Sequence, residues 1–193
     1  MTARRMVVCA AALAVAIHAG SCLALDPAQV LAGLARVERS EASFEETRHV
    51  AALAAPLVRR GRLTYTRPSE LEMVVETPLQ ERVRIVGGVM TMEGRNGTRE
   101  VRLADLPLVA AWIEGMRATL AGDAAALARY FVVHASGDAV SWQLDLIPRT
   151  TDLAAVISHV VIAGNASRIG RIEVFEASGD RNVMVLSASE KKR

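Results

Sequence analysis

Between residues 60 and 103 the chain repeats one pattern: short apolar and polar alternations broken by turn residues, and a period of two is the signature of strands. Leu63 and Tyr65 share one face of a segment from Arg60 to Thr66 that Pro68 terminates. Leu71, Met73 and Val75 alternate with Glu70, Glu72 and Val74, and after Thr77-Pro78, Val83 and Ile85 alternate with Arg82 and Arg84. Gly87-Gly88 is a hairpin turn signal, followed by a strand from Val89 to Glu93, the Asn96-Gly97 turn and a strand from Thr98 to Leu103. Connections this short join antiparallel neighbours, so the region is a meander.

The flanking segments complete the pattern. Asp26-Pro27-Ala28-Gln29 joins a capping acid to Pro at the first helical position, and Val30, Leu31, Leu34 and Val37 predict a helix of about three turns ending near Arg39. A strand from Ala42 to Val50 follows, with a loop at Pro56. After Pro107 the period changes: Val109, Trp112, Ile113, Met116 and Leu120 form a helical stripe, and Asp123 caps a second helix running to Tyr130. Strands resume at Val132 to His134, Val140 to Leu146, Ser158 to Ile162, Ile169 to Phe175 and Val183 to Ser187, with turns at Ser136-Gly137-Asp138, Pro148, Gly164-Asn165 and Ser178-Gly179-Asp180. The expected fold is mainly β with α, a curved antiparallel sheet of about ten strands with a helix at its start and a helical insert at its middle. Its concave face is either filled by helix side chains or left as a pocket that the helices close. Met73, Met90, Met92, Met116 and Trp112 suit both outcomes.

The N-terminus reads as an export signal at 1–24, with Arg4 and Arg5 before an apolar run from Met6 to Ala19 and small residues up to Ala24. The run is shorter than the roughly 20 residues a membrane-spanning helix needs. Ala19-Gly20-Ser21-Cys22 also approaches a lipoprotein signal, which would anchor the chain at Cys22, although Leu, Val or Ile usually stands where Ala19 does. Cleavage after Ala24 leaves one domain, 25–193, without cysteine, and removes Arg4 and Arg5, so that 23 basic residues become 21 against 21 acidic. A neutral, sign-mixed chain lacks the basic footprint of a nucleic-acid binder.

No catalytic constellation accompanies this pattern. His49 lies near Glu45 and Glu46 without a second His or Cys at metal-ligand spacing, and His134 and Ser158-His159 lack a triad context. Neither a P-loop nor a dinucleotide-binding fingerprint is present. The expectation is a non-enzyme with no cofactor and no metal.

Ala42-Ser43-Phe44 after an N-terminal helix, then Gly61-Arg62-Leu63-Thr64-Tyr65-Thr66-Arg67-Pro68, a hydrophobic strand through Val75, Thr77-Pro78, and Ile85-Val86-Gly87-Gly88 form an ordered series. In order and spacing it resembles the LolA family of periplasmic carriers of outer-membrane lipoproteins. The helical insert at 109–130 and the strands Trp142 to Leu146 and Ile169 to Phe175 fall in the order that family has. The resemblance implies an incomplete β-barrel with helices as a lid over an apolar cavity, here walled by Phe44, Leu63, Tyr65, Leu71, Met73, Val75, Val83, Ile85, Met90, Met92, Val109, Trp112, Ile113 and Met116. It also implies that Arg67, which matches the family's Arg before Pro, holds the lid closed through backbone carbonyls of the lid helices. Alternation along Gly61, Leu63 and Tyr65 directs Arg67 to the apolar face, whereas a local twist at Pro68 leaves it an exposed strand-end arginine.

The implied function is to shelter lipoprotein acyl chains in the periplasm and move them toward the outer membrane. The implied partners are an inner-membrane ABC-type exporter and an outer-membrane receptor lipoprotein, with the carrier a monomer. The sequence departs from the family where aromatic residues are usual after the hairpin and Val89-Met90-Thr91-Met92 stands instead. Flexible methionines accept differently shaped ligands. A carrier of a free lipid or polyene-type acyl product, and a binding module that senses lipoproteins, therefore remain open alternatives.

Overall fold

A computed structural model describes residues 25–188 of the chain. The export-signal reading at 1–24, with Cys22, lies outside the described residues. One antiparallel sheet of eleven strands dominates, ordered β6-β5-β4-β3-β2-β1-β11-β10-β9-β8-β7. Its strands are β1 (Arg39–His49), β2 (Leu57–Thr66), β3 (Glu70–Thr77), β4 (Glu81–Val86), β5 (Val89–Gly94), β6 (Gly97–Arg102), β7 (Phe131–Gly137), β8 (Ser141–Pro148), β9 (Ile157–Asn165), β10 (Arg168–Glu176) and β11 (Arg181–Ala188). β6 and β7 are the two edges, and they do not pair, so the sheet is an incomplete barrel.

Chain order explains where the helices sit. The first six strands step outward from β1 to the β6 edge, and the next five enter at the opposite edge and return to pair β11 with β1. Everything between the edges is helical: a 3-10 turn (Leu103–Asp105), α2 (Pro107–Ala121) and α3 (Ala124–Tyr130). Ten strand spacings of about 4.8 Å make a flat sheet roughly 48 Å wide. At about 1.5 Å per residue α2 and α3 together supply only about 33 Å. The sheet therefore curls, and the crossover lies across its concave face.

α1 (Pro27–Leu34) is shorter than its stripe predicts. The Asp26 carboxylate caps it by accepting from the Ala28 amide at 2.9 Å, but it ends at Leu34, and Arg39 already pairs with Thr66 on β2. Strand pairing outweighs the last turn of helical periodicity, and the amides of Arg36 and Val37 close tight bonds to the carbonyls of Gly33 and Leu34. A four-residue helix, α4 (Thr151–Ala154), occupies what reads in sequence as a plain loop after Pro148; the Thr150 hydroxyl caps it. The turn expected at Gly164-Asn165 falls one step later, at Ala166, where φ is 50°.

The buried side chains form two clusters. The larger joins Val30, Leu31 and Leu34 of α1 and Leu127 of α3 to Trp142, Leu144, Leu146, Val160 and Ile162 of the returning strands. The smaller joins Tyr65, Leu71 and Ile85 of the meander to Leu103 and Ile113. Trp112 of α2 touches both. One half of the concave face is thus a dry core and the other is only partly covered. Gly115 lets α2 cross the start of β7, because a Cβ there would lie 2.3 Å from the Phe131 ring.

The convex face carries cross-strand ion pairs: Arg60–Glu45 at 2.7 Å, Arg62–Glu76 at 3.2 Å, Arg82–Glu72 at 3.4 Å and Arg84–Glu70 at 2.6 Å. Such exposed pairs add little stability individually and keep the outer surface wet. Glu173 differs because it is buried on this face, between Arg171 and Arg181, beside a stack of His159 on Phe175. Burial pushes its carboxyl upward, but the hydrogen bonds and charges of the two guanidinium groups outweigh that and leave it below the ordinary value near 4.5. A depressed carboxyl contributes stability above its unfolded-state pKa and loses it as pH falls through its folded value. Glu173→Gln is expected to lower stability at neutral pH and to flatten the loss of stability below about pH 4.5, read from urea midpoints across a pH series.

Candidate ligand-binding site

The uncovered half of the concave face holds an elongated cavity of about 270 Å³. Its floor is built by strand alternation, with Leu63 of β2, Leu71 and Met73 of β3, and Val83 and Ile85 of β4 pointing inward from one side. Ile169, Ile172 and Val174 of β10 with Met184 and Leu186 of β11 point inward from the other. Its roof is one stripe of α2, Trp112, Ile113, Met116 and Leu120, at the spacing that puts side chains on one helix face. α2 packs on α1, α3, α4 and the 3-10 turn and meets the floor at Ile113, beside Tyr65, Leu71 and Ile85, so roof and floor part only along the cavity.

Of the residues expected at the cavity, Leu63, Leu71, Met73, Val83, Ile85, Trp112, Ile113 and Met116 line it together. Tyr65 and Met90 belong to the adjoining packed cluster. Phe44 and Val75 are buried in the inner face beside the cavity without lining it, and Met92 is half-buried outside the lining. Val109 is a correction: it is 37% exposed and does not reach the cavity. Its place in the helical stripe is right, but the first turn of α2, Pro107, Leu108 and Val109, is exposed throughout, so periodicity there has no sheet to face.

Sequence reasoning missed the wall contributed by β10, β11 and Leu120, and it missed three polar members, Glu46, Arg59 and Asn182. The signal was available. Glu46 lies two residues beyond the inward Phe44, and Asn182 two before the inward Met184, so the same alternation places them inside.

Arg67 follows β2 directly, half-buried at the end of the cavity near Tyr65. Its Nη1 donates to the carbonyl oxygens of Ala35 at 2.5 Å and Ala121 at 3.3 Å. Ala35 caps the C-terminus of α1 and Ala121 is the last residue of α2. Helix C-termini expose unpaired carbonyls and carry partial negative charge, so one guanidinium between two of them satisfies both. Beneath it, the Tyr65 hydroxyl donates weakly to the Pro68 carbonyl at 3.4 Å. Burial raises the Tyr65 pKa against the opposing charges of Arg67 and Arg117.

A wider groove on the convex face, bordered by Arg62, Glu76, Glu81, Arg82, Glu93 and Arg95, is open, and its Arg62 and Arg82 are held in ion pairs. Apart from Val74 and Val75 its lining side chains are polar or charged, so the concave cavity is the stronger ligand site. No cluster of three or more His, Cys, Asp or Glu suited to a metal occurs among the described residues, and no helix among them is long and apolar enough to cross a membrane.

The family profile described as outer membrane lipoprotein carrier protein LolA-like matches residues 19–192. No curated protein sequence gives a significant match. Among solved structures, the chain is similar to a LolA superfamily protein from Nitrosomonas europaea, at 10% identity over 86% of this chain and 95% of that one, with a TM-score of 0.47. It is similar to the Mycobacterium tuberculosis lipoprotein LppX at 10% identity over 82% of this chain and 90% of that one, TM-score 0.47. It is also similar to Pseudomonas aeruginosa MucB, solved in complex with MucA, at 13% identity over 86% of this chain and 59% of that one, TM-score 0.47.

Gly122 sets how closely the two helix ends meet at Arg67. Its φ of 68° is left-handed, and an added Cβ would stand 2.2 Å from the Leu31 carbonyl oxygen and 2.6 Å from the Ala35 Cβ. Gly122→Ala is expected to destabilise the protein by about 1–3 kcal/mol. Urea denaturation gives the loss, and hydrogen exchange should show it concentrated in α1 and the end of α2.

Proposed function

The chain belongs to the family of LolA-like outer membrane lipoprotein carrier proteins, and from that premise we propose that it is a periplasmic carrier that shelters lipoprotein acyl chains and passes them toward the outer membrane. The observation that carries the reading is the apolar cavity between the curved sheet and α2. Each methylene withdrawn from water is worth about 0.8 kcal/mol, so an acylated anchor needs such a shelter to cross an aqueous compartment. The cargo is taken from an inner-membrane exporter of the ABC type and given to an outer-membrane receptor, and the carrier works as a monomer without catalysis. Cleavage of 1–24 delivers it to the periplasm.

Arg67 is the gate in this reading. Its bonds to Ala35 and Ala121 hold α1 and α2 together over the sheet, and losing them frees the roof to lift. Bonds from a charged donor contribute about 1.5–3 kcal/mol, which is small enough to be overcome by an entering chain.

A second reading, in which the cargo is a free single-chain lipid, is favoured by cavity size. A space of 270 Å³ lies at the lower end of ligand pockets, which run from about 300 to 1,000 Å³. The anchor of a triacylated protein far exceeds that unless the roof opens.

Native mass spectrometry of the protein purified from the periplasm, with extraction of what it carries, separates these readings. A co-purifying triacylated protein is the expected result and a small lipid supports the second reading; failure to retain any acyl compound, even when supplied, overturns both. For the gate, Arg67→Leu is expected to shift the closed state toward open by about 1–3 kcal/mol. A solvatochromic probe in the cavity that reports the same environment in variant and parent would remove Arg67 from this role.

A further inference from the structure

The inner face changes character along the strands. Near the Arg67 end it is apolar, but six residues along β1 from Ser40, which pairs with Tyr65, the buried Glu46 appears, about 20 Å away. Glu46 has a side chain only 4% exposed and lines the cavity with Arg59 and Asn182. Arg59 Nε donates to Glu46 Oε2 at 2.6 Å, with a second contact from its Nη2, and Asn182 Nδ2 donates to Glu46 Oε1 at 2.5 Å. Beyond this row the strands carry Arg48, paired with Glu176 at 3.0 Å and near Asp180 at 3.8 Å, which are open to solvent. The wall thus passes from apolar to hydrogen-bonding to charged.

One atom of the cluster is unused. Asn182 Oδ1 is buried without a hydrogen-bond partner among the described residues. The amide cannot profitably turn over, because a carboxylate only accepts and must face the NH2 end. An unsatisfied buried acceptor is unfavourable; Oδ1 has almost no surface open to the cavity as it stands, so a small turn of the Asn182 side chain is what brings it to a donor carried in by a ligand. Arg59 and Glu46 neutralise each other, so the row offers an acceptor and spare guanidinium N–H groups without net charge.

We propose that Glu46, Arg59 and Asn182 form a headgroup site for an amphiphile whose single acyl chain fills the cavity and whose uncharged head presents an O–H or N–H to Asn182 Oδ1. The chemistry is that of a hydroxyl or secondary amide next to an acyl chain, as on a monoacylglycerol or on the amide of an N-acylated peptide. A carboxylate head has no donor for Oδ1 and must give up its hydration for a row without net charge, and an ester without a donor likewise leaves Oδ1 unsatisfied. A purely structural cluster has no need of an idle acceptor at the cavity wall, and apolar residues pack there at least as stably. The inference rests on the acyl-carrier reading of the same cavity and adds the class of head that cavity selects.

The test uses the full-length mature protein and four probes with one decanoyl chain: monodecanoylglycerol, a decanoylated glycyl peptide amide, methyl decanoate and decanoate. Displacement of a fluorescent fatty-acid analogue gives each affinity. The parent protein is expected to bind the better of the two donor-bearing probes about tenfold or more tighter than methyl decanoate, and decanoate no better than the ester. Asn182→Leu is expected to bring the donor-bearing probes to within about twofold of methyl decanoate measured on the same variant, with circular dichroism reporting whether the fold is intact. Asn182→Val, suited to a strand, serves if the first variant does not fold. The glycerol and peptide arms separate a free lipid from a lipoprotein end as the source of the head. Equal affinity for all heads, or a preference that survives both substitutions, overturns the headgroup site but leaves the carrier reading intact. Failure of every decanoyl probe to displace the analogue overturns the headgroup site and the single-chain reading, whereas the native mass spectrometry above decides the carrier reading separately.

Discussion

The fold depends on a crossover that is too short for a flat sheet. Six strands carry the chain to one edge, and a pair of helices must return it to the other across eleven strands. Because the helices span less than the width of the strands laid flat, curvature is enforced by connectivity as well as by strand twist. The same crossover decides what covers the concave face. A sheet curled under a helix that touches it only in places has space left over, and that space is the cavity.

Two helix ends meet over this space, and a single cation joins them. Arg67 sits on the last inward position after β2, and its guanidinium takes the unpaired carbonyls of Ala35 and Ala121. Gly122 permits the close approach, since any side chain there meets Leu31 and Ala35. Sheet curvature, helix capping and the roof of the cavity are therefore linked through a small group of atoms at one end of the site. The larger core, with Leu127, Leu144 and Ile162 fully buried, lies mainly under the other half of the sheet, but α2 reaches into it through Ala118, Trp112 and Met116, so movement of the roof draws on that core as well.

Much of this was legible in the sequence because alternation is a local property. Leu63, Tyr65, Leu71, Met73, Val83 and Ile85 read as one face of a meander, and they are one face. The end of α1 was not legible, because the pairing of Arg39 with Thr66 is a long-range event that no local stripe records. Val109 fails for a related reason: period tells which way a side chain points, not whether anything stands opposite. Glu46 and Asn182 were readable by alternation, yet polar residues attract the expectation of solvent, and so a rule about composition overrode a rule about geometry. The contribution of β10 and β11 to the cavity depends on β11 returning to pair with β1, a topological fact absent from any segment taken alone.

The closed cavity and the proposed cargo set a limit on each other. Four methylenes of an entering chain already contribute about 3 kcal/mol on burial. That matches the upper end of what the Arg67 bonds contribute. Entry of a small part of one chain therefore suffices to offset the clamp, and further chain can enter only as the roof rises. Opening then exposes Trp112, Met116 and Leu120 to the incoming chain, which replaces part of the apolar contact that the roof gives up. In the proposed carrier, release runs the same exchange backward: an acceptor needs only to bind the chains slightly better than the cavity does, because closure of the clamp returns the energy that opening required. A deeper, permanently open pocket would hold cargo more tightly and release it less readily, whereas a shallow pocket under a weakly held roof favours transfer over storage.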